Sequence, residues 1–167
     1  MKIALSWLRQ LVATEASAEE LAHRLTMAGI EVEDIAVAPA FTQVVVARVA
    51  SVARHPNADR LTVCQVDTGG PGLRSVVCGA PNVAAGLLVP CALPGAVLSG
   101  GLAIRSSKVR GEASDGMLCS AKELGLSEEA AGLIVLEEGA APVTDLRAVL
   151  DLDDPVLEIK TTPNRGD

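Results

Sequence analysis

Four short runs rich in β-branched and small apolar residues follow one another between Val44 and Leu93, each cut off by glycine, proline or an Asn/Asp turn. The runs are Val44–Val52, Leu61–Asp67, Leu73–Cys78 and Leu87–Leu93. The breaks are His55-Pro-Asn-Ala-Asp-Arg60, Thr68-Gly-Gly-Pro-Gly72, Gly79-Ala-Pro-Asn82 and Pro94-Gly95. β-Branched side chains are stiff at χ1 and favour the pleated backbone, whereas the intervening residues favour turns. No long helix can run through such punctuation. Leu102–Arg110 and Gly116–Ser120 read as further strand pieces around a basic turn. Short strands at regular spacing predict a small closed barrel.

The flanks have a different texture. Met1–Leu5 reads as a strand, and Ser6 as the N-cap of a helix over Trp7–Val12. Ser17 and Glu20 fit a capping box opening a second helix, which puts Leu21, Leu25 and Ala28 on one face and stops at Gly29. Ile30–Ile35 alternates like a strand with one wet face, and Pro39 marks a break. After the barrel region, Lys122–Ser127 reads as a short helix or turn and Gly132–Glu137 as a strand. An acidic stretch, 138–154, and a last strand, Pro155–Lys160, follow. A β-α-α-β unit this small buries little alone, so residues 155 onward are expected to return and pair with it. The expected organisation is α+β: residues 1–39 begin a small split α/β domain, 40–150 form the inserted barrel, and 151–167 return to the first domain.

Charge is unevenly spread. The chain as a whole carries a net −7, yet between Thr42 and Ser120 seven cations face four acids. The cations are Arg48, Arg54, Arg60, Arg74, Arg105, Lys108 and Arg110. A basic middle inside an acidic chain suits an anionic backbone, and distribution matters more than the sum. Trp7 and Phe41 are the only aromatics, and neither lies in that middle. Stacking of bases on aromatic faces is therefore disfavoured, and a nucleic acid would be met through backbone and shape.

Other chemistries find little support. No apolar run reaches membrane-spanning length, and Arg9 arrives too early for a signal-peptide core, so a cytoplasmic location is expected. The four cysteines lack zinc-type spacing and read as free buried thiols. The acids of 123–154 lack the fixed spacing of a calcium loop and read as a solvated face. His23 and His55 have no Ser, Asp or Cys partner nearby in sequence and read as ordinary surface or turn histidines. Gly111 and Gly116 have phosphate-loop spacing, but Met117 stands where that loop needs lysine. No catalytic residue is assigned.

Several ordered motifs carry a resemblance. Val46-Ala-Arg-Val49, His55-Pro-Asn-Ala-Asp-Arg-Leu61, Val66-Asp67, Val77-Cys-Gly-Ala-Pro-Asn82, Pro94-Gly95, Lys108-Val-Arg-Gly111 and Ser114-Asp-Gly-Met117 resemble the tRNA-binding OB-fold of synthetase-associated proteins. The flanking segments Met1–Leu8, Leu25–Val32 and Thr162-Pro-Asn-Arg-Gly-Asp167 resemble the bacterial phenylalanyl-tRNA synthetase β subunit. This implies the N-terminal piece of a longer β chain whose OB barrel interrupts a small α/β domain. It also implies tRNA and the synthetase α subunit of a heterotetramer as partners. ATP and magnesium would serve the parent ligase, with no cofactor, metal, catalytic site or membrane contact in this piece. From charge and motif position, Arg48, Arg54, Arg60, Arg105, Lys108, Arg110 and Ser114 are expected to contact tRNA. The competing expectation is an architectural module that packs against other synthetase domains or subunits without touching tRNA.

Overall fold

A computed structural model describes residues 1–161 apart from Glu129 and Glu138. The motif at 162–167 lies outside the described residues. The chain divides into two compact units, Pro39–Leu150 and a unit formed by Met1–Ala38 with the segment from Asp151 onward.

In the smaller unit, β1 (Lys2–Ala4), β10 (Val156–Lys160) and β2 (Glu31–Ala36) form an antiparallel sheet with β10 in the middle. β10 earns that place by alternation: Leu157 and Ile159 are buried, while Glu158 and Lys160 pair with Lys2 and Glu33 on the wet face. Helices α1 (Leu5–Leu11) and α2 (Ala18–Met27) supply Leu5, Leu8, Leu21 and Leu25 to the same core. The capping box is present: Ser17 Oγ accepts from the Glu20 N–H, and the Glu20 carboxylate accepts from the Ser17 N–H. Ser6 does not cap α1 as expected, because the helix starts two residues earlier with Ala4 at its N-cap. The Asp154 carboxylate takes over, accepting from both the Ser6 N–H (2.9 Å) and its hydroxyl (2.6 Å). A carboxylate at a helix N-terminus also complements the dipole.

The larger unit is the barrel. Its five strands are β3 (Val44–Arg54), β4 (Thr62–Asp67), β5 (Arg74–Cys78), β6 (Leu88–Ala92) and β9 (Met117–Leu118), in the order β5-β4-β3-β6-β9. β3 is long enough to pair with β6 through its first half and β4 through its second, with a bulge between Val49 and Ser51 where it bends. The open ends of this sheet meet at Ser114. Its hydroxyl accepts from the Val77 N–H of β5 (3.0 Å) and donates to the Gly116 carbonyl (3.1 Å), while the Asp115 N–H donates to the Ser75 carbonyl (2.8 Å). These bonds close a five-stranded OB barrel, an α+β fold with the barrel inserted into the smaller unit's chain. Between Ile104 and β9 the chain makes a small hairpin, β7 (Ser107–Val109) with β8 (Glu112–Ser114). Only this short part of Leu102–Arg110 is strand.

Small β-branched side chains fill the core between the barrel strands, which holds no aromatic. Val49, Val66, Val76 and Val89 are fully buried alongside Cys64 and Cys91. All four cysteines are free and buried. Burial pushes the Cys91 and Cys119 thiols up to about 12. The Cys64 and Cys78 thiols share a hydrogen bond that pulls the first down and, with burial, pushes the second up. With no exposed thiol, these groups serve packing rather than reactivity.

Gly132–Glu137 is not a strand. It makes one isolated bridge, Leu88 with Leu136, and elsewhere a side chain stands in for a strand neighbour. The Asn82 amide donates to the Leu133 carbonyl (3.0 Å) and accepts from the Leu133 N–H (2.9 Å). Leu133 belongs to the core, so both backbone groups need those partners. Asn82→Ala is expected to cost about 2 kcal/mol, read as a lowered midpoint in chemical denaturation followed by circular dichroism.

Candidate nucleic-acid interface

The turn between β3 and β4 and the tip of the β7–β8 hairpin are bolted together. His55 starts the turn and is only 5 % exposed. A buried imidazole needs partners for both nitrogens, and it has them. Nδ1 accepts from the Asn57 N–H at 3.0 Å, and Nε2 lies 2.9 Å from the Val109 carbonyl. A carbonyl can only accept, so the ring is the Nε2–H tautomer. Asn57 adds a second bolt, its amide donating to the Arg110 carbonyl at 3.1 Å. The turn itself is closed by the His55 N–H donating to the Leu61 carbonyl at 3.1 Å.

These bonds join the chain segments that carry four of the cations. Arg54 precedes His55, Arg60 precedes Leu61, and Lys108 and Arg110 flank Val109. Each of the four is thus the immediate chain neighbour of a residue in one hydrogen-bonded cluster, and all four are exposed. Asp59 and Glu112 lie in the same two turns, so the corner holds four cations against two acids. Arg110 and Gly111 have positive φ (49° and 100°) in a two-residue loop between paired Val109 and Glu112, the signature of a type I′ hairpin turn. Arg110, the first residue of this tip, is exposed.

The other expected contacts are not chain neighbours of the joined residues. Arg48 sits opposite Asp67 and donates to the Gly86 carbonyl. It is six residues from Arg54 along β3, about 20 Å of strand. Arg105 precedes the hairpin and lines a cleft of about 620 Å³ with Ile104, Met117, Leu133 and Glu123. Ser114, expected at the tRNA surface, is 4 % exposed and its hydroxyl is already used in closing the barrel. The histidine and asparagine that organise the corner were not among the expected site residues. Their signal in sequence is the motif His55-Pro-Asn-Ala-Asp-Arg-Leu61, with Asn57 two residues after the histidine in a proline turn.

Among the described residues no group of three or more His, Cys, Asp or Glu is placed to hold a metal, and no helix is long and apolar enough to cross a membrane. The arrangement offers long, exposed cationic side chains next to a hydrogen-bonded base. That is chemistry for phosphate oxygens, which Arg can engage with two parallel bonds.

Residues 44–145 match the family described as "Putative tRNA binding domain". The chain is 61 % identical over its whole length to the phenylalanine–tRNA ligase β subunit of Dechloromonas aromatica, of which it spans 21 %. It is 54 % identical to that of Neisseria meningitidis serogroup B, again over all of this chain and 22 % of the relative. The chain therefore spans about a fifth of the length of these relatives. A solved MetRS related protein from Pyrococcus horikoshii is 20 % identical, with a TM-score of 0.45 over 60 % of this chain and 85 % of its own.

Proposed function

This chain belongs to the family of tRNA-binding domains, and on that premise we propose that its barrel grips tRNA by the phosphate backbone at the corner formed by Arg54, Arg60, Lys108 and Arg110. The observation that carries this reading is the hydrogen-bonded join of the His55 turn to the hairpin tip, which gathers four exposed cations from two distant stretches. The absence of aromatics from the barrel's basic middle favours backbone contact over base stacking. Arg48 would be a peripheral contact at most, because it lies about 20 Å of strand from Arg54.

The likeness to phenylalanine–tRNA ligase β subunits supports a reading in which this grip serves phenylalanyl-tRNA formation, as part of a cytoplasmic enzyme. In that setting the module contributes tRNA binding without chemistry of its own. The ligase α subunit is its partner assembly, and ATP and magnesium are used in other parts of the complex. A second reading, an architectural module that docks other synthetase domains, draws on the smaller unit. There Trp7 and Leu11 on α1 and the neighbouring Val12 are each more than half exposed.

Amide chemical-shift mapping of the isotope-labelled 167-residue chain with added tRNA separates the two. The backbone-grip reading expects shifts concentrated at 54–61 and 107–112. Shifts confined to the Arg48 end or the Arg105 cleft, or none at saturating tRNA, would count against it.

A further inference from the structure

We infer that His55 and Asn57 are positioning residues: they clamp the β7–β8 hairpin tip to the β3–β4 turn and so hold Lys108 and Arg110 beside Arg54 and Arg60 as one phosphate-facing surface. The inference rests on the tRNA-binding reading above and assigns that site its internal support.

The hairpin needs outside support. Each of its strands is three residues long, and a two-stranded ribbon of that size does not hold its own orientation in water. Its turn sequence is also a poor one for its shape. A type I′ turn prefers Asn or Gly at its first central position, whereas Arg110 adopts left-handed φ there. Asn57 meets that residue directly, donating to the Arg110 carbonyl. His55 meets the residue before it, donating to the Val109 carbonyl. The two bonds therefore fall on consecutive carbonyls at the tip, between the two cations of the hairpin. Because His55 is itself held by the Asn57 N–H, the clamp has one orientation. Neither residue carries a charge to phosphate in this arrangement. Their effect on binding is exerted through the hairpin.

The test is tRNA binding by the 167-residue chain as a function of salt, for wild type, His55→Ala, His55→Gln, Asn57→Ala, Lys108→Ala/Arg110→Ala, and the triple variant adding Asn57→Ala. Glutamine can keep an N–H near the position of Nε2. The clamp predicts that His55→Ala and Asn57→Ala each weaken binding about tenfold and flatten the dependence of log K on log salt by roughly one to two units, as loss of the hairpin contacts should. It predicts substantial rescue by His55→Gln, and no further loss when Asn57→Ala is added to the Lys108/Arg110 double variant. Barrel integrity is read from amide exchange at Val76 and Cys91. If His55→Ala unfolds the barrel, Asn57→Ala carries the test, since its side chain sits at the surface. Wild-type affinity and slope in a folded Asn57→Ala variant would overturn the clamp, as would losses that simply add to those of Lys108→Ala/Arg110→Ala. A wild-type slope unchanged by that double variant would instead overturn the tRNA-binding corner, and the clamp with it.

Discussion

Gly116→Ala is expected to open the barrel. Gly116 has φ 137°, a conformation that side chains other than hydrogen rarely adopt, and a methyl group there would sit 2.7 Å from the Ala92 carbonyl oxygen. Neither neighbour can yield cheaply. Ala92 ends β6, every residue of which is buried, and pairs with Met117 across the sheet. Moving Gly116 instead pulls on Ser114, whose hydroxyl bonds its carbonyl while holding β5. The cost is therefore a strained backbone plus a loosened seam, about 3–5 kcal/mol. The measurement is amide exchange at Val76–Cys78 and at Leu118, where protection should fall sharply. A folded variant with wild-type protection would mean that the seam is more pliable than this packing implies.

The second large effect falls on binding. Lys108→Ala with Arg110→Ala removes half of the corner's cations from a hairpin that buries little, so the fold should be unaffected. Each exposed contact to phosphate is worth about 1 kcal/mol, less than a buried ionic bond because water and salt screen it. Two such contacts correspond to roughly thirtyfold in affinity for tRNA at low salt. Arg48→Ala, about 20 Å along β3 from Arg54, should change the same affinity by no more than a few-fold. A titration followed by fluorescence anisotropy of labelled tRNA checks both.

How far the sequence anticipates these features depends on the range of the interaction. The barrel strands are legible because β-branched runs and glycine or proline breaks act locally, and the same is true of the Ser17–Glu20 capping box, whose partners are three residues apart. Ser6 looks like an N-cap for equally local reasons, but the carboxylate that takes the role comes from Asp154, 148 residues away. Ser114 sits in a polar Ser-Asp-Gly turn and so reads as exposed. Its burial depends on β5 arriving from 37 residues back. Gly132–Glu137 has a strand's composition, but the Asn82 side chain takes up the backbone groups of Leu133 that a ladder would use. His55 reads as an ordinary turn histidine because its carbonyl partner is 54 residues ahead. The cations of the corner are visible as charges in the sequence. The proposal that Arg54, Arg60, Lys108 and Arg110 act together without Arg48 rests on the length of β3 and on the His55–Asn57 bonds, neither of which is visible as charge.

The central claim is that these four cations act together on a phosphate backbone, and counterion release measures that directly. Binding of tRNA to the 167-residue chain should weaken steeply as salt rises from about 50 to about 200 mM, with a slope of log K on log salt of roughly −3 to −4 for four neutralised phosphates. In the Lys108→Ala/Arg110→Ala variant the slope should fall to about half of that. A slope near zero, or a steep slope that the double variant leaves unchanged, would contradict the account.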